Sequence, residues 1–121
     1  MFRTLIADDE EIIRRGISGL LSKDPEIQVV ATAEDGLQAL KLSAETIPDL
    51  FFVDINMPYL NGLEFIEQIR PAYANAVIII ISGYDEFEYV QKALQLGIFD
   101  YMLKPIMEDN FFAILEKAKK Q

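Results

Sequence analysis

Hydrophobic positions along this chain follow two alternating rhythms. Short, nearly continuous apolar runs include Thr4-Leu5-Ile6-Ala7, Leu50-Phe51-Phe52-Val53 and Val77-Ile78-Ile79-Ile80-Ile81. They have the length of buried strands, and the third is rich in β-branched residues, which suit a pleated surface. The pattern predicts strands over residues 3–7, 28–32, 50–54, 76–82 and 99–103. Between them the apolar residues recur at helical spacing. The predicted stripes are Ile13, Ile17, Leu20 and Leu21; then Leu37, Leu40 and Ala44; then Leu63, Ile66 and Ile69. Phe87, Val90 and Leu94 line a fourth, and Phe111, Ile114, Leu115 and Ala118 a fifth. Breakers separate them at Asp24-Pro25, Pro48-Asp49, Asn61-Gly62, Pro71, Gly97 and Lys104-Pro105.

Five strand–helix units in succession imply right-handed crossovers and an α/β fold with a doubly wound, five-stranded parallel sheet. The favoured strand order is 2-1-3-4-5. At 121 residues the chain has room for one domain, and no linker, repeat or low-complexity segment divides it.

That topology gathers polar residues. Asp8-Asp9 follows the first predicted strand, Asp54 ends the third, Ser82 ends the fourth and Lys104 follows the fifth. Ligands of open α/β sheets bind beyond the carboxyl ends of the strands, so these residues are expected to form one site. The acid pair should face Asp54 across one strand spacing, roughly 5 Å. Three carboxylates so close repel one another, by on the order of 4 kcal/mol for a pair at 4 Å. A divalent cation such as Mg²⁺ would compensate them, and Lys104 adds an ammonium. Asp54 is the natural nucleophile, able to attack phosphorus and form an acyl phosphate. Metal and lysine would neutralise the equatorial oxygens, and Ser82 offers a hydroxyl donor. A carboxylate is expected to be ionised at neutral pH, so this chemistry needs no general base. Read singly, each feature has an ordinary structural explanation: Asp8-Asp9 as a helix cap, Asp54 as a turn residue, Ser82-Gly83 as a loop. Their joint occurrence in order at successive strand ends favours the site.

Composition narrows the options. The net charge is −9, from 20 acidic and 11 basic residues, so this segment is not expected to grip nucleic acid directly. Histidine is absent, so any phosphohistidine in its chemistry belongs to a partner. Without cysteine there are no disulfides or thiolate metal sites, consistent with a cytoplasmic location. The apolar runs fall far short of the ~20 residues of a membrane helix. Met1-Phe2-Arg3 leads straight into a strand without signal-peptide architecture, so no membrane association is expected.

At its motifs the chain resembles the receiver domain of two-component response regulators along essentially its full length, residues 1–121. The matching segments are Ile6-Ala7-Asp8-Asp9-Glu10, Val53-Asp54-Ile55-Asn56-Met57-Pro58, Ile81-Ser82-Gly83-Tyr84 and Tyr101-Met102-Leu103-Lys104-Pro105. The resemblance implies a flavodoxin-like (βα)5 fold and a signalling phosphoacceptor rather than an enzyme. Asp54 would take the phosphoryl group from a sensor histidine kinase. Asp9 would bind Mg²⁺ directly and Asp8 mainly through water, with Asp54 and the backbone carbonyl of Asn56 completing the protein ligands. Lys104 would contact the phosphoryl group, Ser82 would be the switch hydroxyl and Tyr101 the aromatic partner that turns inward. Gly83 and Pro105 would support them, and Lys104-Pro105 would be a cis peptide. Slow loss of the phosphoryl group to water would be tuned by Asn56 and Tyr84. The fourth helix, fifth strand and fifth helix would form the surface that changes.

The stretch from Ser82 through Gly97 to Tyr101 is similar to receivers joined to AraC-type helix-turn-helix domains. That implies transcription regulation through a C-terminal DNA-binding output domain outside these residues, with homodimerisation on activation. A stand-alone receiver acting by protein contacts is the alternative. Tyr89 and Phe112 lie off the core stripes and are candidate contact residues, whereas Phe87 and Phe111 fit the stripes. Lys117, Lys119 and Lys120 read as charges complementing a helix end. Two other functions share parts of the pattern. A haloacid dehalogenase-like phosphatase would place its acid pair last and an acid at position 56. A flavodoxin-like electron carrier would need a Ser/Thr/Gly-rich phosphate loop where Asp-Asp-Glu-Glu stands.

Overall fold

Strands and helices alternate in the computed structural model, which describes residues 1–83 and 87–121. The order is β1 (Phe2–Ala7), α1 (Glu11–Leu21), β2 (Ile27–Ala33), α2 (Gly36–Thr46), β3 (Leu50–Asp54), α3 (Gly62–Ile69), β4 (Val77–Ser82), α4 (Phe87–Gln95), β5 (Asp100–Leu103) and α5 (Glu108–Ala118). The strands form one parallel sheet in the order β2-β1-β3-β4-β5, as the alternation predicts. β1 and β2 each extend slightly beyond their predicted limits, and β5 begins one residue later.

The period-two alternation of strand side chains sorts the core into two layers. Leu5, Phe51, Val53, Ile78 and Ile80 face one side, where they meet Ala39, Phe65, Ile66 and Val90 from α2, α3 and α4. Ile6, Phe52, Ile79, Ile81 and Met102 face the other, against Ile17 and Leu21 of α1 and Phe111, Ile114 and Leu115 of α5. Phe52 stacks on Phe111 with ring centroids 5.5 Å apart, and Phe51 meets Tyr73 edge-on at 5.7 Å. β3 is buried along its whole length, which explains why its sequence reads as continuously apolar up to Asp54.

In two helices only part of the predicted stripe reaches the core: Leu40 in α2 and Val90 in α4. α2 buries Gly36, Ala39 and Ser43 and leaves Leu37 and Ala44 exposed. α4 buries Val90 and Ala93, while Phe87 is 64% and Leu94 51% exposed. In α2 a small residue permits a close approach that a bulky one would block. At Gly36 a Cβ would run into the backbone and side chain of Leu60. Phe112 is half-buried and packs edge-on against Phe111, so it belongs to the core margin rather than to a free surface. Lys119 has a more specific role than complementing a helix end. Its ammonium holds Asp24 at 2.7 Å, Glu26 at 2.9 Å and Glu116 at 3.2 Å, fastening the end of α5 to the α1–β2 turn.

Helix ends are fixed locally. Asp35 caps α2 by accepting from the Gln38 N–H, and Asn61 with Glu64 forms a capping box on α3. The α3 cap matters most for function, because it fixes the chain returning from the end of β3.

Candidate functional site

The sheet register brings four strand ends to one edge. Ala7 pairs with Val53, Asp54 with Ile81 and Ser82 with Leu103, so Asp8, Asp54, Ser82 and Lys104 converge there. Backbone bonds extend the pairing just beyond the strands: Asp8 N–H donates to Ala33, Ile55 N–H to Ile81 and Lys104 N–H to Ser82. Behind Asp54, the N–H of Gly62 donates to the Ile55 carbonyl at 3.0 Å. A Cβ at Gly62 would overlap the Asp54 carbonyl oxygen and the Ile55 Cα, so only glycine fits at the start of α3 without a shift of the strand end.

Asp8 and Asp54 are both buried. Asp8 Oδ1 accepts from the Glu10 N–H at 2.8 Å, and Asp54 Oδ1 accepts from the Asn56 N–H at 3.3 Å. Lys104 Nζ lies 3.4 Å from Asp54 Oδ2, 3.5 Å from Asp8 Oδ2 and 2.7 Å from Glu10 Oε2. Burial and then the negative charge of Asp8 push the Asp54 carboxyl up to about 8, despite the opposing pull of Lys104. Asp8 is raised too, chiefly by burial. Without a cation beside it, Asp54 is thus harder to ionise than an ordinary carboxylate. A desolvated acid beside a second acid needs more positive charge than one lysine supplies. Burial alone would lower Lys104, but Glu10, Asp54 and Asp8 outweigh it and hold the ammonium firmly protonated.

The donor set suits a hard divalent cation. Asp8, Asp9 and Glu10 offer carboxylate oxygens that all lie within 4.8 Å of one another. Among the described residues, the buried Asp8 Oδ2 accepts no hydrogen bond, and Lys104 Nζ stands 3.5 Å from it. All-oxygen ligands of high negative charge match Mg²⁺ chemistry, so the residues present fit that ion.

The remaining predicted residues divide by position. Ser82 is buried, and its Oγ has no hydrogen-bond partner among the described residues. Tyr101 is 38% exposed on the edge strand β5, so its side chain is not enclosed by the core. Gly83 follows Ser82 directly, and the Lys104–Pro105 peptide is cis. Asn56 opens the loop after β3. Tyr84 lies outside the described residues. Sequence reasoning missed two neighbours of the site. Glu10 is the nearest partner of Lys104, and Arg14 Nη1 donates to the Asp8 carbonyl at 2.8 Å. Helical geometry offered a partial signal for Arg14, one turn beyond Glu10 on a helix that starts at the site. Glu10 could not be told from its acidic neighbours without knowing where Lys104 reaches.

Comparisons with known proteins agree with this geometry. The response regulator receiver domain family matches residues 4–116. Among curated proteins, the transcriptional regulatory protein HptR of Staphylococcus aureus is 39% identical over 116 residues, covering 95% of this chain and 45% of HptR. An uncharacterised response regulatory protein of Staphylococcus epidermidis is 38% identical over 117 residues, covering 96% of this chain and 46% of the relative. The chain thus spans about half the length of the curated relatives it matches. Among solved structures, the REC domain of AraT, a response regulator from Geobacillus stearothermophilus, superposes with TM-score 0.93 at 41% identity, covering 98% of this chain and 93% of that one. The receiver domain of NtrX from Brucella abortus gives TM-score 0.87 at 30% identity, covering 98% of each. Sheet order, converging strand ends and sequence identity across nearly the whole chain lead to one assignment: this chain belongs to the response regulator receiver domain family.

Proposed function

We propose that Asp54 accepts a phosphoryl group from the phosphohistidine of a sensor histidine kinase, and that the chain relays this event as a signalling switch. The observation that carries the reading is the buried Asp54 carboxylate flanked by Asp8 and by Lys104, 3.4 Å from its Oδ2. In the transfer, a carboxylate oxygen of Asp54 forms a bond to phosphorus while the bond between phosphorus and the imidazole nitrogen breaks. The imidazole regains a proton, and Asp54 becomes an acyl phosphate. Lys104 donates to phosphoryl oxygens and offsets their charge. The Asn56 N–H holds Asp54 Oδ1 and limits rotation of the carboxylate. Asp8, Asp9, Asp54 and the Asn56 carbonyl would hold Mg²⁺. When bound, the ion supplies charge neutralisation at the acid cluster and on the transferring group.

Ser82 is suited to report the event. Its hydroxyl is buried without a partner among the described residues, and a phosphoryl oxygen on Asp54 would give it an acceptor. Movement of Ser82 opens space into which Tyr101 turns, altering the face formed by α4, β5 and α5. Exposed apolar residues on these elements are Phe87, Tyr89 and Leu94 of α4, Tyr101 and Leu103 of β5, and Met107 at the start of α5. The output is transcription regulation through a DNA-binding domain beyond this segment, with homodimerisation on activation. The name of HptR, a transcriptional regulatory protein about twice as long, supports this reading. Slow hydrolysis of the acyl phosphate resets the switch.

The deciding experiment incubates the chain with acetyl phosphate and Mg²⁺ and follows intact mass. A gain of one phosphoryl group that disappears in Asp54→Asn supports the proposal. No gain, under conditions that label a control receiver, overturns it. For the output step, Tyr101→Ala should take up the phosphoryl group normally but lose phosphorylation-dependent dimerisation. Unchanged dimerisation in that variant would remove Tyr101 from the mechanism.

A further inference from the structure

Glu10 occupies the N-cap of α1 with extended backbone, φ −93° and ψ 116°, yet its side chain makes no capping bond. A carboxylate there usually has helix N–H donors within reach. This one instead takes Lys104 Nζ at 2.7 Å, closer than either Asp54 at 3.4 Å or Asp8 at 3.5 Å. The contact joins residues 94 positions apart, from opposite ends of the site's chain order. Asp54 must therefore share its cation with a stronger competitor. An ammonium has three donors, and in this arrangement three carboxylates surround it.

We propose that Glu10 is a positioning residue that holds Lys104 in reserve, so that uptake of a phosphoryl group by Asp54 requires the ammonium to exchange Glu10 for the incoming phosphoryl oxygens. The inference rests on Asp54 being the phosphoacceptor. Glu10 itself forms no covalent bond and moves no proton. With acetyl phosphate, the new bond joins Asp54 Oδ to phosphorus, the acetyl oxygen–phosphorus bond breaks, and acetate leaves. Glu10 acts only on how readily Lys104 follows the phosphorus. It is 53% exposed in its side chain and Lys104 23%, so the pair is partly screened and can exchange. Its strength should translate into an effect of about two- to fivefold.

An ordinary staple between α1 and the end of β5 would use the same contact, so the test must separate the two. The full chain is phosphorylated with acetyl phosphate at saturating Mg²⁺, comparing wild type, Glu10→Gln and Glu10→Asp. The Lys104 side-chain NMR signals are recorded before and after. Glu10→Gln is expected to gain its phosphoryl group about two to five times faster, with a shifted Lys104 resonance before phosphorylation. Added salt should speed wild type and leave Glu10→Gln nearly unaffected. Glu10→Asp keeps the charge but is one methylene shorter, and should behave like Glu10→Gln. Equal or slower uptake in Glu10→Gln overturns the proposal, as does wild-type behaviour of Glu10→Asp, which would mean that charge acts without contact. If wild type takes up no phosphoryl group, the Asp54 reading itself falls and takes this inference with it. That failure is distinct from equal rates in two labelled proteins.

Discussion

Gly62, the first residue of α3, lies directly against the backbone carbonyl of Asp54, the last residue of β3. The loop between them leaves β3 and returns to touch its own starting point, with Gly62 N–H bonded to the Ile55 carbonyl. Glycine is required for space rather than for an unusual backbone angle. Gly62→Ala would force the strand end and helix start apart, costing on the order of 1–3 kcal/mol as overpacking. Any gain in helix propensity, at most about 1 kcal/mol, is smaller. The urea midpoint should fall, and phosphoryl uptake at Asp54 should slow because its backbone has shifted. An unchanged midpoint would mean that the loop relaxes freely and does not fix the carboxylate.

Divalent cations should stabilise the fold through the acid cluster. Mg²⁺ binding only the folded chain adds RT ln(1 + [L]/Kd), about 2.7 kcal/mol at a hundredfold excess over Kd. Thermal unfolding should therefore shift upward with Mg²⁺ and saturate. In Asp9→Asn the increment should shrink strongly, because a carboxylate offered at the site is lost. An equal increment in wild type and Asp9→Asn would place the ion elsewhere.

Much of this architecture was legible in the sequence because strand burial is written in composition. Leu50–Asp54 is apolar to its last residue, since both faces of β3 are covered, and the polar residue that ends it marks the sheet edge. The same logic located Asp8, Ser82 and Lys104. Helix faces were read less well. In α2 and α4 the large apolar residues Leu37, Phe87 and Leu94 are exposed, while Ala39 with Leu40, and Val90 with Ala93, make the contact. Hydrophobicity ranks residues by size, whereas docking distance selects small ones, and only the Leu60 backbone opposite Gly36 reveals that constraint. Glu10 escaped for a related reason. Which of four consecutive acids meets Lys104 depends on where α1 begins, and the Asp8–Glu10 turn sets that start.

Ile47 is a site of removable strain. It ends α2 in the left-handed region, φ 49° and ψ 68°, with its side chain 67% exposed. That conformation costs an L residue roughly 1–2 kcal/mol, and glycine escapes the cost. Part of the benefit is offset by the greater freedom of glycine in the unfolded chain. Ile47→Gly should therefore stabilise the protein by about 0.5–1 kcal/mol in urea denaturation. Ile47→Val, β-branched like the original, should give no gain. A loss of stability on Ile47→Gly would show that the exposed side chain contributes more than the backbone strain.

Asp54 should make the metal-free fold less stable as pH rises. Its carboxyl titrates near 4 when unfolded, but burial and then Asp8 raise it to about 8 in the fold. Between these values the folded chain binds more protons than the unfolded chain, so the Asp54 contribution to stability declines with increasing pH. It is fully favourable below pH 4 and lost by the time pH passes 8. Asp8, also raised, acts in the same direction. Asp24 acts oppositely, because its hydrogen bond to Lys119 lowers it and stabilises the fold above its unfolded value. Asp54→Asn removes the largest declining contribution while keeping the side-chain shape. In EDTA at pH 7.5 the variant should be more stable than wild type by on the order of 1–3 kcal/mol, since a tenfold change in proton affinity is about 1.4 kcal/mol. At pH 4 the difference should nearly vanish. Millimolar Mg²⁺ should narrow the gap at pH 7.5, because a bound cation favours the ionised wild-type acid. Urea unfolding across this range measures all three, and a gap independent of pH would mean that Asp54 is not held against its charge.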